Sequence, residues 1–214
     1  MEFRSERGAL MYRKWVDVPY LYQPFDINMP KVVDHELYRR TLLERSTDVF
    51  VTRGYAAISM REIAAAIEVS TGTLYHYFPS KEDLFCHLFL HHARQSSMAL
   101  VADLCGIESR SQRLERLLRF FERQCDGMRT QFLLSADMVR HDLPPKAQGL
   151  LRRWSTALKK KLGELIGIDA GDSELLFCFL SGTLYSRTVS GNQRDLGAAF
   201  KKFQKALEWM EVST

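Results

Sequence analysis

Residues Ser59 to Leu84 read SMREIAAAIEVSTGTLYHYFPSKEDL, and three helix starts follow one another within that stretch. Ser59 with Glu62, and Ser80 with Asp83, have the spacing in which a hydroxyl caps one backbone amide while an acid three residues later reaches back. Ser70 opens a third helix in the same way, without the acid. The first helix carries Ile63, Ala64 and Ile67 on one stripe, and only Glu68-Val69 separates it from Ser70. So short a connection makes the two helices cross steeply. This is the helix-turn-helix arrangement, in which the second helix enters the major groove and the first braces it across the DNA backbone. Thr71 to Phe78 is barely two turns, too short to be stable alone, so packing through Leu74 and Phe78 has to hold it.

The run Ser70-Thr71-Gly72-Thr73-Leu74-Tyr75-His76-Tyr77-Phe78, followed by Ser80-Lys81-Glu82-Asp83-Leu84, resembles the signature of the TetR family of transcriptional regulators. The match spans about Tyr38 to Phe89 and includes an upstream helix ending at Arg53-Gly54-Tyr55; beyond Phe89 the likeness is architectural only. The resemblance implies an all-helical homodimer that binds a palindromic operator, usually a repressor released by a small ligand. The chain departs from the pattern at Glu68, where the family usually has Gly in the turn. A non-Gly residue in left-handed geometry costs roughly 1–2 kcal/mol. Either packing of Val69 absorbs that cost or the turn follows another backbone path.

Length and composition set outer bounds. With 214 residues and 46% hydrophobic content the chain can bury a substantial core, as one large or two small domains. No stretch is as long and apolar as a membrane span, and the start lacks the pattern of a signal peptide, so a cytoplasmic protein is expected. Cys86, Cys105, Cys125 and Cys178 are scattered without C-x-x-C spacing, which predicts buried thiols and no disulfide. A net charge of +4 permits nucleic-acid binding without demanding it. Between residues 31 and 81 seven basic residues oppose six acidic ones, so any positive face must come from placement.

Residues 1–30 mix aromatics (Phe3, Tyr12, Trp15, Tyr20, Tyr22, Phe25) with Arg4, Arg7, Arg13, Lys14 and three prolines, and no helical period survives there. Three readings stand: an arm that reaches the DNA backbone or minor groove, a tail packed on its own or the partner subunit, and a true start at Met29. From His35 to Arg53, Leu37, Leu42, Leu43, Val49 and Phe50 mark one apolar side, stopped at Gly54. A long helix is expected from Ser80 to Leu104. Further helices follow at about 111–125, 130–141, 146–166, 172–189 and 194–210, with breaks at Gly127, Pro144-Pro145, Gly167 and Gly191-Asn192. No strand signal and no repeat occur, and the Lys159-Lys160-Lys161 run reads as a solvated face.

Arg61, second in its helix, is placed to meet a guanine edge or a phosphate. Thr71 and Thr73 open the reading helix, where hydroxyls serve phosphates and methyls meet thymine methyls, and Gly72 lets the backbone come close. Tyr75 and His76 are the groove-facing candidates. Tyr77 is expected on a phosphate, Leu74 and Phe78 in the core, and Lys81 on a phosphate beside free backbone amides. His87 and His91, four apart on one face, raise the question of a metal with His141 as a third ligand; solvent-facing or interdomain histidines are the plainer reading. No catalytic motif occurs: there is no G-x-x-x-x-G-K, G-x-S-x-G, H-E-x-x-H or G-x-G-x-x-G.

In the segment 172–189, Leu175, Leu176, Phe177, Phe179, Leu180, Leu184 and Tyr185 circle the helix, and a helix apolar all round is buried all round. One side is expected on its own core and the other on a second subunit. Ser181 and Gly182 would allow close approach, and Phe200, Phe203, Leu207 and Met210 would complete a four-helix interface. Phe132, Met138, Trp154, Phe177 and Tyr185 are possible pocket residues, but such residues at helical spacing also make plain core, so ligand contacts stay unassigned.

The expected fold is therefore all-α, with about nine helices: an arm at 1–30, a three-helix DNA-binding domain at 31–80, and a helical regulatory and dimerisation domain at 81–214. The expected function is a sequence-specific transcriptional regulator, a homodimeric repressor of a pseudo-palindromic operator released by a small ligand, with no cofactor, no metal and no catalysis. The alternatives are a regulator without a small-molecule inducer, and a helical enzyme or metal-binding protein with a helix-turn-helix-like corner.

Overall fold

The chain's computed structural model describes residues 35–140, 145–190, 198–203 and 205, and every regular element among them is helical. In chain order these are α1 (His35–Arg53), α2 (Met60–Ala66), α3 (Thr71–Tyr77), α4 (Lys81–Leu104), α5 (Arg110–Arg123), α6 (Cys125–Arg140), α7 (Pro145–Ile166) and α8 (Ala170–Ser190). Residues 198–203 are also helical. The basic arm at 1–30, the Gly191-Asn192 break, His141, Leu207 and Met210 lie outside the described residues.

The helix ends are written locally. Gly54 closes α1 at φ 76°, and Gly167 follows α7 at φ 81°, the left-handed backbone that glycine adopts without strain. Gly127 does not break the chain as expected: it lies inside α6, and the joint falls at Gln124, whose N–H still reaches Phe120 O at 2.9 Å. A helix tolerates an interior glycine at a cost of about 1 kcal/mol.

Two compact units partition the chain, the first joining residues 35–96 with 130–153 and the second joining 97–129 with 154–190 and 198–203. The unit that contains the helix-turn-helix is thus larger than 31–80. Its core is built by Leu42 and Phe50 of α1, Ile63 of α2, Leu74 of α3 and Leu84, Phe85, Leu88 and Phe89 of α4, all essentially sealed from solvent. Leu37, expected on the same apolar side, is exposed instead. The buried hydroxyls of Ser46 and Thr47 donate to the Leu42 and Leu43 carbonyls one turn back, so neither is left unpaired.

In the second unit α8 buries Leu176, Leu180 and Leu184, while Leu175, Cys178, Gly182, Tyr185 and Val189 are exposed. Among the described residues, then, α8 is buried along one side and exposed along the other. Phe179 stacks on Phe203 with ring centres 4.4 Å apart, and Phe200 is buried beside them. This corrects the expectation for Phe200, which packs into its own chain's core instead of facing outward. Cys178 likewise is not the buried thiol anticipated. Of the three lysines at 159–161, Lys159 pairs with Glu174 at 2.6 Å and Lys161 with Glu164 at 2.7 Å, leaving Lys160 on the exposed face. Among the described residues no helix is long and apolar enough to cross a membrane.

Candidate nucleic-acid interface

The capping box at Ser59 is complete. Its hydroxyl accepts the Glu62 N–H at 3.3 Å, and the Glu62 carboxylate accepts the Ser59 N–H at 2.8 Å and hydroxyl at 2.6 Å. Those bonds from Ser59 hold the Glu62 carboxyl below its usual range. At Ser80 only half the box forms: the hydroxyl accepts the Asp83 N–H at 3.0 Å, while the Asp83 carboxylate turns to His87 at 3.3 Å.

Between α2 and α3, Glu68 takes the left-handed conformation at φ 57° despite not being glycine. Its N–H reaches Ala65 O at 3.2 Å and the Val69 N–H reaches Ala64 O at 3.0 Å. This is the Schellman pair that satisfies the last carbonyls of a helix. The two bonds, with the Glu68 carboxylate 3.4 Å from Arg45, offset the strain of that residue. The turn therefore follows the helix-turn-helix path and not a different one.

Ser70 caps α3 by accepting the Thr73 N–H at 2.9 Å. From that start Leu74 and Phe78 fall into the core with no exposure, and Tyr75 is 49% exposed with His76 exposed beside it. Gly72 is exposed and Thr71 half-buried, while the half-buried Thr73 has its hydroxyl 2.7 Å from that of Ser70. Arg61 is exposed on α2. Tyr77 is half-buried, and its hydroxyl lies 2.9 Å from Nδ1 of His35, with the Tyr38 ring 5.4 Å away. Sequence reasoning missed His35, because its partner lies 42 residues away.

Lys81 is anchored within its own chain. Its ammonium donates to Tyr55 O and Ile58 O, both at 2.8 Å, and lies 4.3 Å from the centre of the Tyr55 ring. Burial lowers its pKa. Two of its three N–H donors are thus on carbonyls, which secures the connection leading into α2.

The histidines of α4 are turned to protein partners. His87 Nδ1 is 2.8 Å from Asp83 O, and His91 Nε2 is 3.6 Å from the Glu44 carboxylate. His92 Nε2 is 2.9 Å from the Thr47 hydroxyl, whose one proton goes to Leu43 O, so His92 is the donor. Burial lowers the pKa of both His91 and His92. Of the possible pocket residues, Met138 is sealed in the core and Tyr185 is 57% exposed.

A short capped helix held out with its polar edge in solvent, braced by a second helix through a tight turn, defines a helix-turn-helix DNA-binding regulator. Residues 42–88 match the family model described as bacterial regulatory proteins, tetR family. The chain is 30% identical over 159 residues to the HTH-type transcriptional repressor KstR2 of Rhodococcus jostii, spanning 69% of this chain and 76% of that one. It is 34% identical over 137 residues to the HTH-type transcriptional activator FasR of Mycolicibacterium smegmatis, spanning 62% and 60%. A TetR-family regulator from Agrobacterium tumefaciens shares the fold, with a TM-score of 0.64 at 16% identity over 81% of this chain and 98% of that one. The chain belongs to the TetR family of transcriptional regulators. Its relatives are regulators of transcription, not enzymes.

Proposed function

We propose that the chain is a homodimeric repressor that reads a pseudo-palindromic operator through α3 and is released by a small ligand held among its C-terminal helices. The observation that carries this reading is the division of α3 into a sealed edge, Leu74 and Phe78, and an open edge, Tyr75 and His76. On this reading Arg61, Tyr75 and His76 meet base edges, Thr71, Thr73 and the Gly72 backbone approach the strand, and Tyr77, steadied by His35, meets a phosphate. Lys81 serves the same surface from behind by holding the connection between α1 and α2. DNA reading belongs to 31–80 and regulation to 81–214, and the protein works in the cytoplasm beside its operator. Repression is supported by the 30% identity to a relative that bears the name of a repressor.

A ligand is supported by Gln131 on α6. Its side chain is buried to 6% exposure, and among the described residues neither Oε1 nor Nε2 has a hydrogen-bond partner. A buried amide left unpaired at both ends costs roughly 1–3 kcal/mol for each group, which a bound molecule offering a donor and an acceptor would recover.

In vitro selection of bound DNA tests the reading. The expected product is a symmetric site whose half-sites are about one helical turn apart, and His76→Ala is expected to relax preference at one base position in each half while leaving the others. Selection of no sequence, or of an unsymmetrical one, would refute it.

A further inference from the structure

Asp137 lies near the end of α6, and its Oδ2 accepts the backbone N–H of Tyr55 at 2.8 Å. Tyr55 belongs to the connection between α1 and α2, and both residues are in the same compact unit. The geometry around that bond is closely fixed. Gly54 has φ 76°, and a Cβ built on it would come within 3.5 Å of the Asp137 carboxylate. The Tyr55 carbonyl is held by Lys81, whose ammonium also takes Ile58 O, and the Tyr55 ring packs 4.9 Å from that of Phe85. Tyr55 is therefore gripped at both of its backbone polar groups, at its N–H by α6 and at its carbonyl by the first turn of α4. Ile58 is followed directly by Ser59, the cap of α2. The α6 contact at Tyr55 therefore falls on the short connection that leads into the cap of α2.

We infer that Asp137 is a positioning residue that couples α6 to the DNA-reading helices, by holding the Tyr55 amide on an ionised acceptor. Such charge-assisted bonds are about twice as strong as neutral ones, which suits a joint that must carry displacement without parting. The inference rests on the DNA-binding reading above and adds the route by which that surface is regulated. Coupling of this kind is reciprocal: whatever shifts α6 alters DNA affinity, and DNA alters α6. The second half of that statement can be tested with no inducer in hand.

The experiment is hydrogen exchange on the full chain, with and without a selected operator duplex. In the wild-type protein DNA is expected to slow exchange in residues 71–77 and, by about threefold or more, in residues 130–140. In Asp137→Ala the slowing at 71–77 persists and that at 130–140 disappears. Asp137→Asn, which keeps an uncharged oxygen acceptor, retains part of it and covers the case in which the alanine variant does not fold. Val139→Ala, an exposed position on the same helix, retains all of it. Unchanged slowing at 130–140 in both Asp137 variants, or none there in the wild type while 71–77 responds, would overturn the coupling. Silence in both segments with every DNA tested would overturn the DNA-binding reading beneath it.

Discussion

Tyr75 and Lys81 are six residues apart and use their polar ends in opposite ways. The Tyr75 side chain is half in solvent, while the Lys81 ammonium is engaged with Tyr55 O and Ile58 O. Distinguishing a phosphate contact from an internal brace matters, because the two respond differently to salt. Each lysine that neutralises a phosphate adds about 0.9 to the slope of log affinity against log salt on duplex DNA. Lys81→Ala is expected to leave that slope unchanged, to lower stability by about 1–2 kcal/mol through the two lost charged hydrogen bonds, and to weaken all DNA alike by loosening the approach to α2. Thermal melting and a salt titration of operator binding measure both effects. A slope smaller by about 0.9 with unchanged melting would return Lys81 to the phosphate.

At the scale of the element, α4 carries its histidines against α1, where Glu44 and Arg40 on α1 and Arg94 on α4 act on His91, and His91 and Glu44 act on His92. Burial is the largest influence on both rings and holds each below the ordinary value of 6.5. The unfolded chain therefore binds protons in a range where the folded chain resists them. The stability these groups contribute is present above pH 6.5 and is lost as the pH falls through their folded values. Melting temperature is expected to fall on acidification between about pH 7.5 and 5.5, and to fall less steeply in the double variant His91→Gln, His92→Gln. An identical pH profile in that variant would assign the acid sensitivity elsewhere. These contacts also show what a sequence can disclose. Helix ends were legible because their causes are local: the Ser59 and Glu62 pair, Gly54 after α1, Gly167 after α7. The two faces of α3 were legible because a short helix with Leu74 and Phe78 at i and i+4 can bury only one side. The partners of Tyr77, Lys81 and Tyr55 were not, since they lie 42, 26 and 82 residues away and no local pattern marks them. Gly127 misled for the converse reason, a local signal overridden by a helix that continues through it.

For the whole molecule, the dimer proposed above needs an exposed apolar face, and α8 offers one. Leu175, Cys178, Gly182, Tyr185 and Val189 follow one another at intervals of 3, 4, 3 and 4 residues, the spacing of a seam on which a second helix packs. Among the described residues a Cβ on Gly182 would meet nothing within 4 Å, which leaves room there for close approach by another backbone. A two-fold axis along such a seam sets each side chain near its own copy, so one substitution acts twice. The double variant Tyr185→Glu, Val189→Glu, at positions 57% and 67% exposed, should leave the fold intact and place like charges opposite one another. Face-to-face like charges cost several kcal/mol, and dimer affinity is expected to fall by about a hundredfold or more, read as a shift from dimer to monomer by light scattering. Binding to the full operator should fall with it, because one subunit alone engages one half-site, whereas affinity for an isolated half-site should stay as it was. A variant that remains dimeric and holds the full operator as tightly as before would place the subunit contact on another face of the chain.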